Sequence, residues 1–181
     1  MTELKSPPRV VVECAPWQPA CYRYLLHIAL TPSVQAAHAL PVLTVIQKNP
    51  SLADAIRSDP TAGKVEAWAR RRGFAAVIYV NLFALRSPDP RAVNDVSQAE
   101  AIGAENDAAI VRACAAADVI VAAWGNPNGI DVTRYAARSA DLRRRLEQAG
   151  YALHHVGALT RLGYPRHGLH WNGDAALQRW R

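Results

Sequence analysis

Asn49 and Asp59 lie in Lys48–Thr61, KNPSLADAIRSDPT, which follows the β-branched apolar run Val42–Ile46 after the single residue Gln47. A side-chain amide at the tip of a buried strand can orient a water molecule or hydrogen-bond a polar ligand. A carboxylate in a proline-stiffened turn, here Asp59-Pro60-Thr61, can accept a proton. Ser51 and Thr61 add hydroxyls to the same loop, and residues of these types serve as readily as helix caps and turn formers. Asn81 follows a second apolar run, Ala75–Val80, and presents a donor and an acceptor together, as one edge of a planar ligand requires. Phe83 lies just beyond it and could wall a ring. A third run, Asp118–Ala123, ends in Trp124-Gly125-Asn126, where the indole is either a stacking face or part of the core. The closing loop Gly157–Trp171, GALTRLGYPRHGLHW, carries Arg166, a cation for a phosphate or carboxylate, and His167, a proton donor or acceptor.

The elements that position these residues are strands that end together. Val42–Ile46, Ala75–Val80 and Asp118–Ala123 are apolar almost without interruption, which predicts strands buried on both faces, as in a parallel sheet. Tyr151–Val156 is a shorter and more polar fourth strand. Thr61–Arg72 reads as a helix with Thr61 as its N-cap and Gly73 as its stop. A single helix is expected from Ser97 to Ala117, its inward face traced by Ile102, Asn106, Ile110 and Cys114. Asn106 is then a buried amide, either a structural bridge or a ligand contact. Val132–Gln148 is a further helix, with Tyr135, Leu142 and Leu146 inward and Arg134, Arg138 and Arg145 outward. Crossovers of this length make successive strands parallel. Asn49, Asp59, Asn81, Trp124 and His167 are therefore expected around one cavity at the C-terminal edge of the sheet, where open α/β sheets bind ligands.

A length of 181 residues suits one sizeable core. The chain is read as a single domain, 1–181: a loose leader 1–8, an N-terminal β extension and linker 9–40, an α/β core 41–171 and a C-terminal tail 172–181. The extension rests on two β-rich runs, Arg9–Cys14 and Tyr22–Ala29, and Thr31–Leu40 is a short linker or helical turn before the core. The expected class is a three-layer α/β/α fold with a four-stranded, mostly parallel central sheet.

Composition narrows the function classes. No apolar run is long enough to span a bilayer, and the N-terminus MTELKSPPR has no apolar signal core, so a cytoplasmic protein is expected. Three cysteines without CxxC spacing make neither a disulfide framework nor a zinc site. The net charge of +6 comes largely from short arginine runs, Arg70–Arg72 and Arg143–Arg145, which permit phosphate contacts without requiring them. No GxGxxG, P-loop, HExxH or GxSxG pattern occurs, so no cofactor is expected. His154 and His155 face opposite ways on a strand, and His167 and His170 are close enough to share a ligand, but no metal site is expected.

The segments YRYLLHI, KNPSLADAIRSDPT, NLFALRSPDP, GAENDAAI, VIVAAWG and LTRLGYPRHGLHW, in this order, resemble the bacterial family catalogued as domain of unknown function 1643. The likeness runs from Tyr22 to His170. Two positions depart from the family pattern: Lys48 stands where an apolar residue usually precedes Asn49-Pro50-Ser51, and Gly168 stands where a proline usually follows His167. More distantly, the layout is similar to the uracil-DNA glycosylase superfamily. That likeness implies a water-positioning loop at Asn49-Pro50, a base-reading Asn81, a Trp124-Gly125 strand ending and a base-stabilising His167.

The first expectation is thus a nucleobase-binding protein, acting on a nucleobase-containing small molecule or on nucleic acid. Hydrolysis of an N-glycosidic bond would use Asn49 or Asp59 to orient water, Asn81 to read the base and His167 to stabilise the leaving base. A non-catalytic nucleotide- or nucleic-acid-binding module is the alternative, as is an enzyme on another small substrate with Asp59 and His167 as its acid/base pair.

Overall fold

The computed structural model describes residues 10–17, 20–31, 40–50 and 58–181. In chain order its strands are β1 (Val10–Ala15), β2 (Leu25–Ala29), β3 (Val42–Gln47), β4 (Ala76–Asn81), β5 (Val119–Ala122), β6 (Leu153–Val156) and β7 (Leu177–Arg179). The α-helices described are α1 (Pro60–Arg71), α2 (Gln98–Ile102), α3 (Asn106–Ala115) and α4 (Val132–Gln148), with 3-10 turns at Pro90–Asp95 and Gly168–His170. The protein is a mixed α/β fold on one seven-stranded sheet, in the order β1-β2-β4-β3-β5-β6-β7. No helix among the described residues is long and apolar enough to cross a membrane.

β3 sits between β4 and β5 because its side chains are apolar on both faces. All of β4 and nearly all of β3 is buried. The pairs β3–β4, β3–β5 and β5–β6 are parallel, while β1–β2, β2–β4 and β6–β7 are antiparallel. The four-stranded expectation therefore covered only the parallel centre of a wider, mixed sheet. The N-terminal pair extends it past β4, and the segment read as a C-terminal tail supplies β7 against β6.

Alternation along β3 and β4 divides the core. Ile46 and Val80 pack with Ile110 of α3 and with Tyr135 and Leu142 of α4. Val45 and Tyr79 pack with Val65 and Trp68 of α1 and with Trp171.

Three local expectations are corrected. The N-cap of α1 is Asp59, whose Oδ1 accepts from the Ala62 N–H at 2.8 Å, with Pro60 in the first turn. Proline is pre-organised for that position, which leaves the preceding Asp to cap, so Thr61 already lies inside the helix. The expected helix Ser97–Ala117 is two helices. Ser97 and Glu100 form a capping box on α2, and Gly103 then breaks the chain direction at φ 85 before α3 begins. Arg138, placed outward on pattern, is 2% exposed. Its Nε donates to the Leu82 carbonyl at 2.8 Å, and it pairs with Asp107.

Gly103 generates a stability prediction. A Cβ there would lie 2.9 Å from Tyr24 Cε1 and 3.1 Å from Tyr22 Cδ1, on a backbone conformation already unfavourable to other residues. Gly103→Ala is expected to cost about 1–3 kcal/mol. Gly73→Ala shares the left-handed φ but has nothing within 4 Å of the added Cβ, so it should cost only about 1 kcal/mol. Urea unfolding of both variants checks this, and equal losses would remove the steric contribution at Gly103.

Candidate functional site

The parallel registers bring the ends of β3, β4, β5 and β6 to one edge of the sheet. Two adjoining cavities open there. One, of about 250 Å³, is lined by Lys48, Asn49, Thr61, Ser87, His167 and His170 among others. The second, of about 320 Å³, is lined by Gly125, Asn126, Thr160 and Arg166. Asn128, His167 and His170 line both, so the two form one cleft with a shared wall.

Asn49 is held by its nitrogen. Nδ2 donates to the Ser87 carbonyl at 2.8 Å and to the Pro50 carbonyl at 3.3 Å. Both amide donors are thus directed at backbone, and Oδ1 remains as the acceptor on the cleft side. The Ser87 N–H returns a hydrogen bond to the Pro50 carbonyl, so the loop after β4 and the tip of β3 brace each other.

His167 complements it. Its Nδ1 accepts from the Leu169 N–H at 3.3 Å, capping the 3-10 turn. Burial first, and then the charges of Lys48 and His170, hold the imidazole down to about 4 against a smaller opposing effect of Asp59. At neutral pH the ring is uncharged, and with Nδ1 accepting, the proton sits on Nε2 as a donor. The loop that carries His167 approaches α1 so closely that a Cβ at Gly168 would meet Val65 Cγ2 at 2.6 Å and Thr61 Cγ2 at 3.3 Å. Glycine, rather than proline, lets the turn seat against the helix.

The remaining expected residues are distributed as follows. Thr61 and His167 join Asn49 in the first cavity, and Gly125 and Arg166 join His167 in the second. Arg166 is exposed, and its Nε donates to the Ala158 carbonyl. Asp59 caps α1 and lines neither cavity. Asn81, Phe83, Asn106 and Trp124 are fully buried and also line neither. Asn106 Nδ2 donates to the carbonyls of Asn81 and Leu82, a structural bridge. Phe83 packs on Tyr135, and Trp124 meets Trp180 edge-on at 5.5 Å. Ser51 lies outside the described residues.

Asn81 is unusual among these. Neither Oδ1 nor Nδ2 has a partner, and the same is true of Nε2 of Gln47, its register neighbour on β3. Registered residues of a parallel pair project from the same face. The two amides therefore lie side by side beneath α1, with Gln47 Nε2 just behind Gly168. Each unmet buried group costs about 1–3 kcal/mol.

The pattern of types did not mark Lys48, Ser87 or Asn128 as lining residues, and raised His170 only as a residue that could share a ligand with His167. Lys48 was visible only as a departure from the family pattern. It is 4% exposed, its Nζ lies 5.9 Å from the centre of the Tyr135 ring, and burial pushes its ammonium down to about 8.

The lysine's pKa is below its ordinary 10.5 in the folded state, so folding disfavours its proton. The resulting loss of stability is complete below about 8 and disappears as pH rises towards 10.5. Lys48→Met is expected to stabilise the protein at pH 7 by about 1–3 kcal/mol. Its advantage over the wild type should shrink between pH 8 and 10.5. Chemical unfolding across that range measures it, and a constant advantage would show that packing, rather than charge burial, sets the difference.

No curated protein and no solved structure matches the chain. One family model, described as "protein of unknown function (DUF1643)", matches residues 23–169, well over half of the sequence and all of the described lining of the cleft except His170. The chain belongs to that family.

Proposed function

We propose that the cleft binds a nucleobase-containing ligand and hydrolyses its N-glycosidic bond, in a layout of the uracil-DNA glycosylase type. The observation that carries this reading is the opposition of Asn49 and His167 in one cavity. Asn49 offers an acceptor whose own donors are pinned to backbone, and His167 offers a neutral N–H. The acceptor orients water towards the anomeric carbon, and the neutral donor takes the negative charge that develops on the leaving base. The water oxygen bonds to the sugar carbon as the carbon–nitrogen bond breaks. Its proton passes to solvent, because an amide can orient water but not take the proton.

The unpartnered amides of Asn81 and Gln47 lie behind the cleft, beneath α1, and form no part of its lining, so they do not carry this reading. One feature favours a second reading, binding without turnover. The carboxylate expected to serve as base, Asp59, is engaged as the cap of α1, and no Asp or Glu among the described residues lines either cavity. That engagement also weakens the acid/base pairing of Asp59 with His167.

Free bases, nucleosides and nucleotides, followed by thermal shift and by base release, test both readings. Asn49→Ala is expected to lower release at least about tenfold with little change in binding, as for a lost water contact. Binding by wild type without any release supports the module. If no base-containing compound raises the melting temperature, the nucleobase reading is lost.

A further inference from the structure

The cleft holds a buried cation with no neutralising partner among the described residues. Among the described residues Lys48 forms no ion pair, and its side chain is nonetheless 4% exposed and lines the cavity beside Asn49 and His167. Buried charges in proteins are paired or bind a counter-ion. The nearby carboxylate that His167 senses, Asp59, is committed to the N-cap of α1. Ser87, Asn128 and His170 surround the cavity with further neutral or cationic hydrogen-bonding groups.

The arginine runs that would recommend a nucleic-acid polymer are spent elsewhere. Arg70 donates to the Leu30 carbonyl, and Arg72 donates to Gly173 and Ala175 and stacks on Trp68. Arg71 faces Asp174, Arg143 pairs with Glu147, and Arg144 and Arg145 pair with Asp141. None of these arginines lines the cleft. A phosphodiester backbone lying across the surface would not reach a lysine this enclosed, whereas a terminal phosphate group can enter a pocket end-on.

We propose that Lys48 anchors the phosphate of a small phosphomonoester, and that the cleft does not take polymeric nucleic acid. Resting on the reading above, the ligand is a nucleoside 5′-monophosphate, with its phosphate at Lys48 and its base in the shared cleft beside His167.

Calorimetric titration at pH 7 with four probes tests this: nucleosides, their 5′-monophosphates, ribose 5-phosphate and a single-stranded oligonucleotide. Lys48→Met is the variant, and it is expected to remain folded because it removes a buried charge. The wild type should bind the responding monophosphate about ten- to a hundredfold more tightly than its nucleoside, as a charge-assisted contact requires. In Lys48→Met that ratio should fall to about one. A ratio unaffected by the substitution overturns the anchor while leaving the nucleobase reading intact. Lys48-dependent binding of ribose 5-phosphate without discrimination by base supports the anchor and removes the nucleobase reading instead. Oligonucleotide binding tighter than monophosphate binding, and lost in Lys48→Met, overturns the restriction to small molecules. No response to any phosphate ester overturns the proposal altogether.

Discussion

The carbonyl of Leu82 is the point on which the site depends. Where β4 leaves the ladder, its backbone enters a buried region, and a carbonyl there with no N–H donated to it would be costly. Two side chains from different helices meet the need: Asn106 of α3 and Arg138 of α4 both donate to the Leu82 carbonyl, and Asn106 reaches Asn81 as well. Arg138 is itself held by Asp107, so the two helices are tied to each other and to the tip of β4. The N–H groups of Leu82 and Phe83 donate to Gln47 and Lys48, which carries the same constraint across to β3. The orientation of Lys48, Asn49 and the amide of Asn81 follows from this small hydrogen-bonded knot.

Its electrostatic consequence is a cleft in which positive charge is concentrated but His167 is not. Lys48 and His170 both disfavour a proton on His167, and burial does so more strongly than either. A neutral imidazole beside an ammonium separates two tasks, hydrogen-bond donation and charge neutralisation, that a single protonated histidine would merge. Asn49 contributes the acceptor. The division works only because the three residues come from the tip of β3 and from the loop that crosses to α1, elements fixed by parallel pairing and by the close approach at Gly168.

Much of this was legible in the residues themselves. The runs behind β3, β4 and β5 are apolar regardless of period, the mark of strands buried on both faces, and parallel crossovers then put their ends on one edge. Tyr135, Leu142 and Leu146 marked the inward face of α4 correctly. Arg138 was misplaced because a charge between those positions reads as solvent-facing, and its partner carbonyl lies 56 residues away. Pro60 was a local signal for capping by Asp59 that a reading centred on Thr61 passed over. Three residues with two of them exposed, as in β7, carry no period at all. The lining roles of Ser87 and Asn128 depend on where loops fold back, which spacing does not encode.

Two buried cations in this protein invite comparison. Arg138 receives a carboxylate and a carbonyl, and the fold uses it as a strut. Lys48, 4% exposed, receives only the face of Tyr135 at 5.9 Å. An aromatic face offsets a small part of an ammonium's lost hydration, about 0.5–2 kcal/mol, against several kcal/mol for burying the ion. Structural need explains the arginine, because removing it would leave a carbonyl short of a donor and a carboxylate short of a cation. It does not explain the lysine, whose replacement by an apolar side chain would leave no protein group unpaired among the described residues. A buried ammonium that costs stability, at the strand tip beside the lining side chains Asn49 and His167, is the feature that the proposed phosphate anchor is meant to explain.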